Sequence, residues 1–281
     1  MTQTVNPLKQ FFRQPAIYLR LPSLGQYWDS NAINLPTNSE LPVFPMTAID
    51  EITYRTPDAL FNGQAVVNVI QSCIPAIRDA WKTPGADLNA ILVAIRIASY
   101  GHDMDMTVKC PSCQTESDFT VDLRLMLDRL KCANYAGVFK NGDLEITFTP
   151  ISYQHQNQIN VNQFEQQRKI QQIQMSEELT DEQKIEQLNA TLQQITALTI
   201  ETLKYSIASI RSPQSLVTEP EFIQEFLVNC DRKFYTQIRD HIIDLRQQSE
   251  IDNIEVVCPE CSHKWPQTLT LDQAAFFGVA S

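Results

Sequence analysis

The sequence predicts an α+β fold, predominantly α-helical, and three observations carry that expectation. Apolar residues recur at threes and fours through most of the chain, the spacing that lines one face of an α-helix. Between residues 152 and 210 two such stretches follow each other across a short turn, the pattern of a long helical hairpin. Alternating, strand-like runs gather around Cys110-Pro111-Ser112-Cys113 and Cys258-Pro259-Glu260-Cys261, which marks a small β-rich region built on two cysteine turns.

The elements follow in order. Residues 1–50 carry prolines at 7, 15, 22, 36, 42 and 45 among Phe11, Phe12, Tyr18, Tyr27 and Trp28. Long regular structure is excluded there, and an extended arm is expected, laid across another surface or across its own domain. Residues 51–150 form a helical region followed by the first cysteine turn and a β-hairpin. Thr47 with Asp50 and Glu51 opens a helix. After Asn62-Gly63, the stripe Val66, Val67, Val69, Ile70, Cys73, Ile74, Ile77 and Trp81 keeps helical spacing. Thr83-Pro84-Gly85 is a turn, and Asp87 is placed to cap an apolar helix ending near Tyr100-Gly101. Leu123 to Leu130 reads as a short helix. Asn141-Gly142, between Tyr135–Phe139 and Leu144–Phe148, is a hairpin signal, because Asn-Gly accepts positive φ at both central positions.

Residues 151–210 are a glutamine-rich insertion. Ile159, Phe164, Ile170 and Ile173 fall at roughly helical intervals, and Thr180 with Gln183 opens a second helix running through Leu203 and Ile207. Residues 211–281 hold two helices, one opened by Thr218 with Pro220 near its first turn and the other capped by Asp231, then the second cysteine turn and a tail containing Phe276-Phe277. Two exposed phenylalanines are costly in water, so the tail is expected to dock on this chain or on a partner.

Composition narrows the function. The 281 residues are 43% apolar with a net charge of −11 and only seven glycines; the isoelectric point is near 4.8. An acidic chain without a basic stripe is repelled by a phosphate backbone, so no nucleic-acid partner is expected. No Gly-rich phosphate loop is present. No secretory signal is evident, and no apolar run is long enough to span a membrane.

The two Cys-Pro-x-Cys runs lie more than half the chain apart, yet a strand enters each of them and an alternating strand leaves it, Phe119–Leu123 after the first and Thr268–Asp272 after the second. That is the shape of a zinc knuckle, and two knuckles supply the four thiolates of a closed tetrahedral site. Cys110, Cys113, Cys258 and Cys261 are therefore the expected ligands of one structural Zn2+. A dithiol redox pair is the main rival, and a partial site using His263 is a third reading. His102-Asp103 lies close to a helix end, where histidine is common. Cys73 and Cys230 read as core thiols, as does Cys132 unless it lies near the metal. His155 and His241 have nothing at catalytic spacing beside them, so no enzyme and no catalytic residue is expected.

The order of these features resembles the baseplate hub and hub-assembly proteins of T-even-type contractile-tailed phages. The resemblance rests on Leu19-Arg20-Leu21-Pro22-Ser23-Leu24-Gly25-Gln26-Tyr27-Trp28, on Leu41-Pro42-Val43-Phe44-Pro45-Met46-Thr47, and on Ser72-Cys73-Ile74. It continues through Ile95-Arg96-Ile97-Ala98-Ser99-Tyr100-Gly101, both cysteine turns and the terminal Phe-Phe-Gly. It implies a non-enzymatic protein of the virion tail baseplate, made in the bacterial host cytoplasm. Its partners would be other baseplate and tail proteins, and a homo-oligomer within the baseplate is compatible with it. A permanent hub component and a transient assembly chaperone are the two roles it offers. A zinc-dependent or dithiol enzyme is the rival of a different class.

Overall fold

The computed structural model describes residues 6–54, 56, 61–176, 179–251 and 253–267. The fold is α+β and mainly helical, with its strands in small antiparallel sheets.

The first core forms around α2 (Gln64–Cys73) and α3 (Gly85–Tyr100). α3 is apolar on nearly all sides and is correspondingly buried from Ala86 to Arg96 except at Asn89, as expected of a helix hydrophobic all round. The stripe that suggested one helix as far as Trp81 divides. α2 stops at Cys73, and Ile74 leaves the helical region (φ −129°, ψ 80°) because Pro75 disfavours the α conformation in the residue before it. A short 3-10 turn, Ala80–Lys82, then leads into α3.

The proline-rich lead lies across this same core. β1 (Ile17–Leu19) pairs antiparallel with β2 (Leu41–Val43), and Leu19, Leu21, Trp28, Leu41 and Val43 are buried against the helices. Two polar anchors hold it there. Arg13 donates to Pro45 O at 2.6 Å, to Ser72 O at 2.8 Å and to Ser72 Oγ at 2.9 Å. Asp87 does not cap α3, whose N-cap is Pro84. Its carboxylate instead accepts from Ser23 N at 2.8 Å, from Trp28 Nε1 at 2.7 Å and from the Ser23 hydroxyl. α1 (Ala48–Tyr54) does open as expected: Thr47 Oγ1 accepts from Asp50 N at 3.2 Å and Asp50 Oδ2 from Thr47 N at 2.7 Å.

The second core lies under a four-stranded sheet of order β5-β6-β7-β8, formed by Val138–Asn141, Leu144–Phe148, Ile207–Arg211 and Leu216–Val217. The β5–β6 loop is Gly142-Asp143, one residue later than Asn-Gly at its centre would give: Asn141 pairs with Leu144, and the left-handed φ (+58°) falls on Gly142. β6 and β7 are neighbours, with Ile146 opposite Ile210 and Phe148 opposite Ile207. Everything between Phe148 and Ile207 leaves the sheet as a helical excursion and returns beside its starting point. α7 (Pro220–Asn229) and α8 (Arg232–Gln247) close this core with Ile223, Leu227, Phe234, Ile238, Ile242 and Leu245. Asp231 caps α8 as expected, accepting from Lys233 N and Phe234 N; Thr218 does not open α7, whose N-cap position falls one residue later on Glu219, without a side-chain cap hydrogen bond, because Pro220 with its fixed φ takes the first helical position.

The excursion is the expected hairpin, α5 (Tyr153–Met175) and α6 (Asp181–Ser206). Thr180 and Gln183 form the expected capping box. α6 ends sooner than its apolar spacing suggested. Ile207, expected to be helical, begins β7: its β-branched side chain suits a strand as well as a helix, the edge of β6 decides, and a register irregularity opposite Thr147 and Phe148 lets Ile207 and Ile210, three residues apart, both lie buried. Trp81 stacked on Tyr153 (centroids 5.6 Å apart) and Tyr153 N donating to Thr83 O at 2.8 Å fasten the hairpin's base to the first core. The strand expected over Thr268–Asp272 and the Phe276-Phe277 tail lie outside the described residues. Among the described residues, no helix is long and apolar enough to cross a membrane.

Candidate metal centre

Two β-hairpins present the cysteines. β3 (Asp103–Lys109) pairs with β4 (Glu116–Asp122) along its whole length, from Asp103 opposite Asp122 to Lys109 opposite Glu116. β9 (Ile254–Val257) pairs with β10 (Lys264–Gln267). Each hairpin carries a Cys-Pro-x-Cys turn at its tip, and the two turns share one backbone design. Cys110 N donates to Thr115 O at 2.9 Å and Gln114 N to Cys110 O at 2.9 Å. In the second turn Cys258 N donates to His263 O at 2.9 Å and Ser262 N to Cys258 O at 3.0 Å. The residue after the second cysteine is left-handed in both, Gln114 at φ 62° and Ser262 at φ 58°. Side chains with a Cβ are strained there. Ser262→Gly is accordingly expected to stabilise the chain by about 1 kcal/mol, a rise of about 2–4 °C in melting temperature. An unchanged or lower midpoint by circular dichroism would show that the left-handed turn carries no strain.

The tips meet. Cys110 Sγ lies 3.7 Å from Cys261 Sγ and Cys113 Sγ 3.6 Å from Cys258 Sγ. All four sulfurs lie within 4.8 Å of one another. Sulfurs about 2.3 Å from a central zinc stand about 3.8 Å apart along a tetrahedron's edges. A disulfide would need about 2.05 Å. The first cysteine of each turn is buried, Cys110 and Cys258 at 1% exposure, whereas Cys113 and Cys261 are exposed. The site therefore has a dry inner side and a wet outer side.

The four thiols hold their protons unequally. The Cys113 thiol is held down to about 6, chiefly by the Thr115 hydroxyl at 3.4 Å and then by the Thr115 backbone N–H. The His263 backbone N–H pulls Cys261 the same way, but burial and the neighbouring thiols outweigh it and push Cys261 up to about 11. Sulfurs this close resist ionising together unless a cation lies among them. Spacing, donor type and the doubled turn thus fit a tetrahedral thiophilic ion such as Zn2+.

Other candidates do not join this group. His263 stacks against Trp265, with ring centroids 6.0 Å apart. Cys132 Sγ donates to Ala133 O, and burial pushes its thiol up to about 11. Cys73, the buried last residue of α2, is pushed up to about 12 by burial first and Asp50 second, far from a reactive thiolate. His102 pairs with Asp103 at 3.6 Å on the surface. His155 stacks on Tyr205 at 3.6 Å, and His241 packs against Phe139 and Phe148. The groups sequence reasoning missed are the anchors Arg13–Ser72 and Asp87–Ser23–Trp28. Their partners lie about sixty residues apart, and no local signal marks such pairs.

No curated protein and no solved structure matches the chain. The family model described as T4 bacteriophage base plate protein matches residues 45–278. That span takes in both cysteine turns, the helices of both cores and the helical hairpin, and the chain belongs to this family of phage baseplate proteins.

Proposed function

We propose that the chain is a non-enzymatic structural component of the hub region of a contractile-tail baseplate, folded around one Zn2+ held by Cys110, Cys113, Cys258 and Cys261. The observation that carries the zinc reading is the convergence of four sulfurs within 4.8 Å from two hairpins remote in sequence. Such an ion would supply cross-linking rather than reaction chemistry. Four protein thiolates fill its coordination, leaving no position for an activated water. The remaining labour falls to the chain's own residues, with the doubled turn aiming the sulfurs and the buried Cys110 and Cys258 keeping one side dry.

Attachment to neighbouring baseplate proteins is supported by apolar side chains left in water. Phe11 and Phe12 on the lead, Ile49 and Ile52 on α1, and Phe164, Ile185 and Leu192 on the hairpin are exposed. Apolar surface of this kind is stabilised by association. The net charge of −11 supports protein rather than nucleic-acid partners.

The test is quantitative mass spectrometry of gradient-purified particles, with metal analysis of the isolated chain. A small fixed copy number per particle and about one zinc per chain are the expected results. Absence from particles but presence in infected-cell extracts would replace the hub component with a transient assembly chaperone. Rapid alkylation of Cys110 or Cys258 in the native, metal-loaded chain would instead favour a dithiol or zinc-dependent enzyme.

A further inference from the structure

A crevice of about 260 Å³ opens between the base of the helical hairpin and α8. Its apolar lining includes the buried Ile159, Leu203 and Ile242, together with Ile243, which is 43% exposed. Arg239 and Arg246 of α8 line it as well, and no carboxylate does, although the chain carries a net charge of −11. Arg239 is engaged by Asp240 at 2.7 Å. Arg246 is half-buried, and among the described residues its guanidinium has no ion-pair or hydrogen-bond partner. Glu250 borders a smaller adjoining hollow of about 80 Å³ that Arg246 also lines, without pairing with it. A guanidinium so placed has given up part of its water for no counter-charge. A carboxylate arriving from outside would meet it in bidentate fashion.

A second set of groups points the same way. Gln156, Asn160 and Gln163 of α5, spaced by four and three residues, line the crevice. None of these side-chain amides has a hydrogen-bond partner among the described residues. The hydroxyls of Thr199 and Thr202, by contrast, are already satisfied, donating to Ile195 O at 3.2 Å and Leu198 O at 2.9 Å. An amide offers both a donor and an acceptor, as a peptide unit does. From Gln156 to Gln163 the helix rises about 10 Å, the length of about three extended residues. The hollow of about 400 Å³ between α4 (Leu123–Arg129) and β9 lacks this bias: Arg129 is balanced there by Asp122 and Glu255.

We propose that this crevice receives an extended acidic segment of a partner protein. One carboxylate of the segment meets Arg246, an adjacent apolar side chain packs on Ile159, Leu203 and Ile242, and its backbone bonds the three amides. Buried arginine and a central apolar pocket are the features that concentrate binding energy in protein interfaces. The inference rests on the reading that the chain attaches to other proteins, and names the chemistry of one such partner. Neither the hub position nor the metal enters it.

The probe is a displayed library of random heptapeptides selected on the full-length chain. The expected outcome is a consensus that places Asp or Glu beside Leu, Ile or Phe. No consensus, or one without an acid, would overturn the inference. The selected peptide, labelled with tetramethylrhodamine, is then titrated by fluorescence anisotropy. Its Kd is expected to rise at least tenfold in Arg246→Gln and in Ile243→Asp, and to rise less in Arg246→Lys, which keeps the charge but loses the planar fork. Arg232→Gln, at the exposed first residue of α8 and outside the crevice, is expected to bind as the wild type does. Unchanged affinity in either crevice variant would overturn the assignment, as would an equal loss in Arg232→Gln. Should Arg246→Gln fail to fold, Ile243→Asp at its exposed position decides alone. Copy number in particles is measured separately. A chain present in particles that selects no acidic peptide overturns this inference alone, and a chain absent from particles that selects one overturns only the permanent baseplate role.

Discussion

Cys258→Ser is expected to abolish metal binding and to lower the melting temperature by about 10 °C or more, corresponding to about 4 kcal/mol in a chain of this size. Three contributions add. A four-thiolate site with one ligand removed loses the closed coordination that makes such sites structural. The buried serine hydroxyl replaces a thiol that is almost wholly inside the protein and must find a hydrogen-bond partner there. The second hairpin also loses its link to the first: β9–β10 is a two-stranded sheet of four residues a side, and such a hairpin is marginal alone. The effect should be local first, with rapid amide exchange over residues 254–267 before the rest of the chain opens. Cys230→Ser serves as the control, since Cys230 lies outside the sulfur cluster. Full metal content and an unchanged melting curve in Cys258→Ser would sink the shared-site reading.

The second large effect is expected at Asp87. Its carboxylate is buried and accepts hydrogen bonds from Ser23 N, the Ser23 hydroxyl and Trp28 Nε1. Asp87→Ala leaves the Ser23 and Trp28 N–H donors buried without an acceptor. Each such orphan costs about 1–3 kcal/mol, so a total near 3 kcal/mol is expected after relief of the buried charge. The lead should peel from α3, which a red shift of tryptophan emission from Trp28 would report. Burial also raises the Asp87 carboxyl above its ordinary range, against the lowering effect of its three donors. The folded chain therefore holds this proton more tightly than the unfolded chain does. The titration contributes stability in acid that is lost as pH rises through the raised value. The gap between wild type and Asp87→Ala should accordingly be wider below that value than above it. A gap that narrows in acid would mean that the donors, not burial, dominate.

Several elements were legible because their causes are local. Thr180 and Gln183 sit three apart and cap α6 by bonding each other's backbone. Asp231 caps α8, and Phe234, Ile238, Ile242 and Leu245 form its buried face. The cysteine turns were legible for the same reason: proline between two thiols, flanked by alternation, describes a knuckle wherever it occurs. Misreadings arose where local preference was balanced. Ile207 suited a helix or a strand, and the neighbouring edge of β6 chose the strand. Asp87 looked like a cap, but donors from the lead claimed its carboxylate before any helix N–H did. Pro75 could have ended the apolar stripe at Ile74 on sequence grounds, since its effect reaches only one residue back.

Sequence alone determined the helical character, the hairpin with its capping box, and each Cys-Pro-x-Cys pair as a turn between strands, because each depends on residues within a turn or two of one another. Tertiary structure alone decided that the two knuckles face each other at 3.6–3.7 Å between sulfurs. It decided likewise that the proline-rich lead is core and that the hairpin springs from between neighbouring strands of one sheet. These are choices of partner across long loops. The entropy of closing such loops changes slowly with their length, so nothing in the local sequence selects the partner. Burial of matching apolar faces and pairing of buried polar groups make that selection, and both exist only once the distant segments have met.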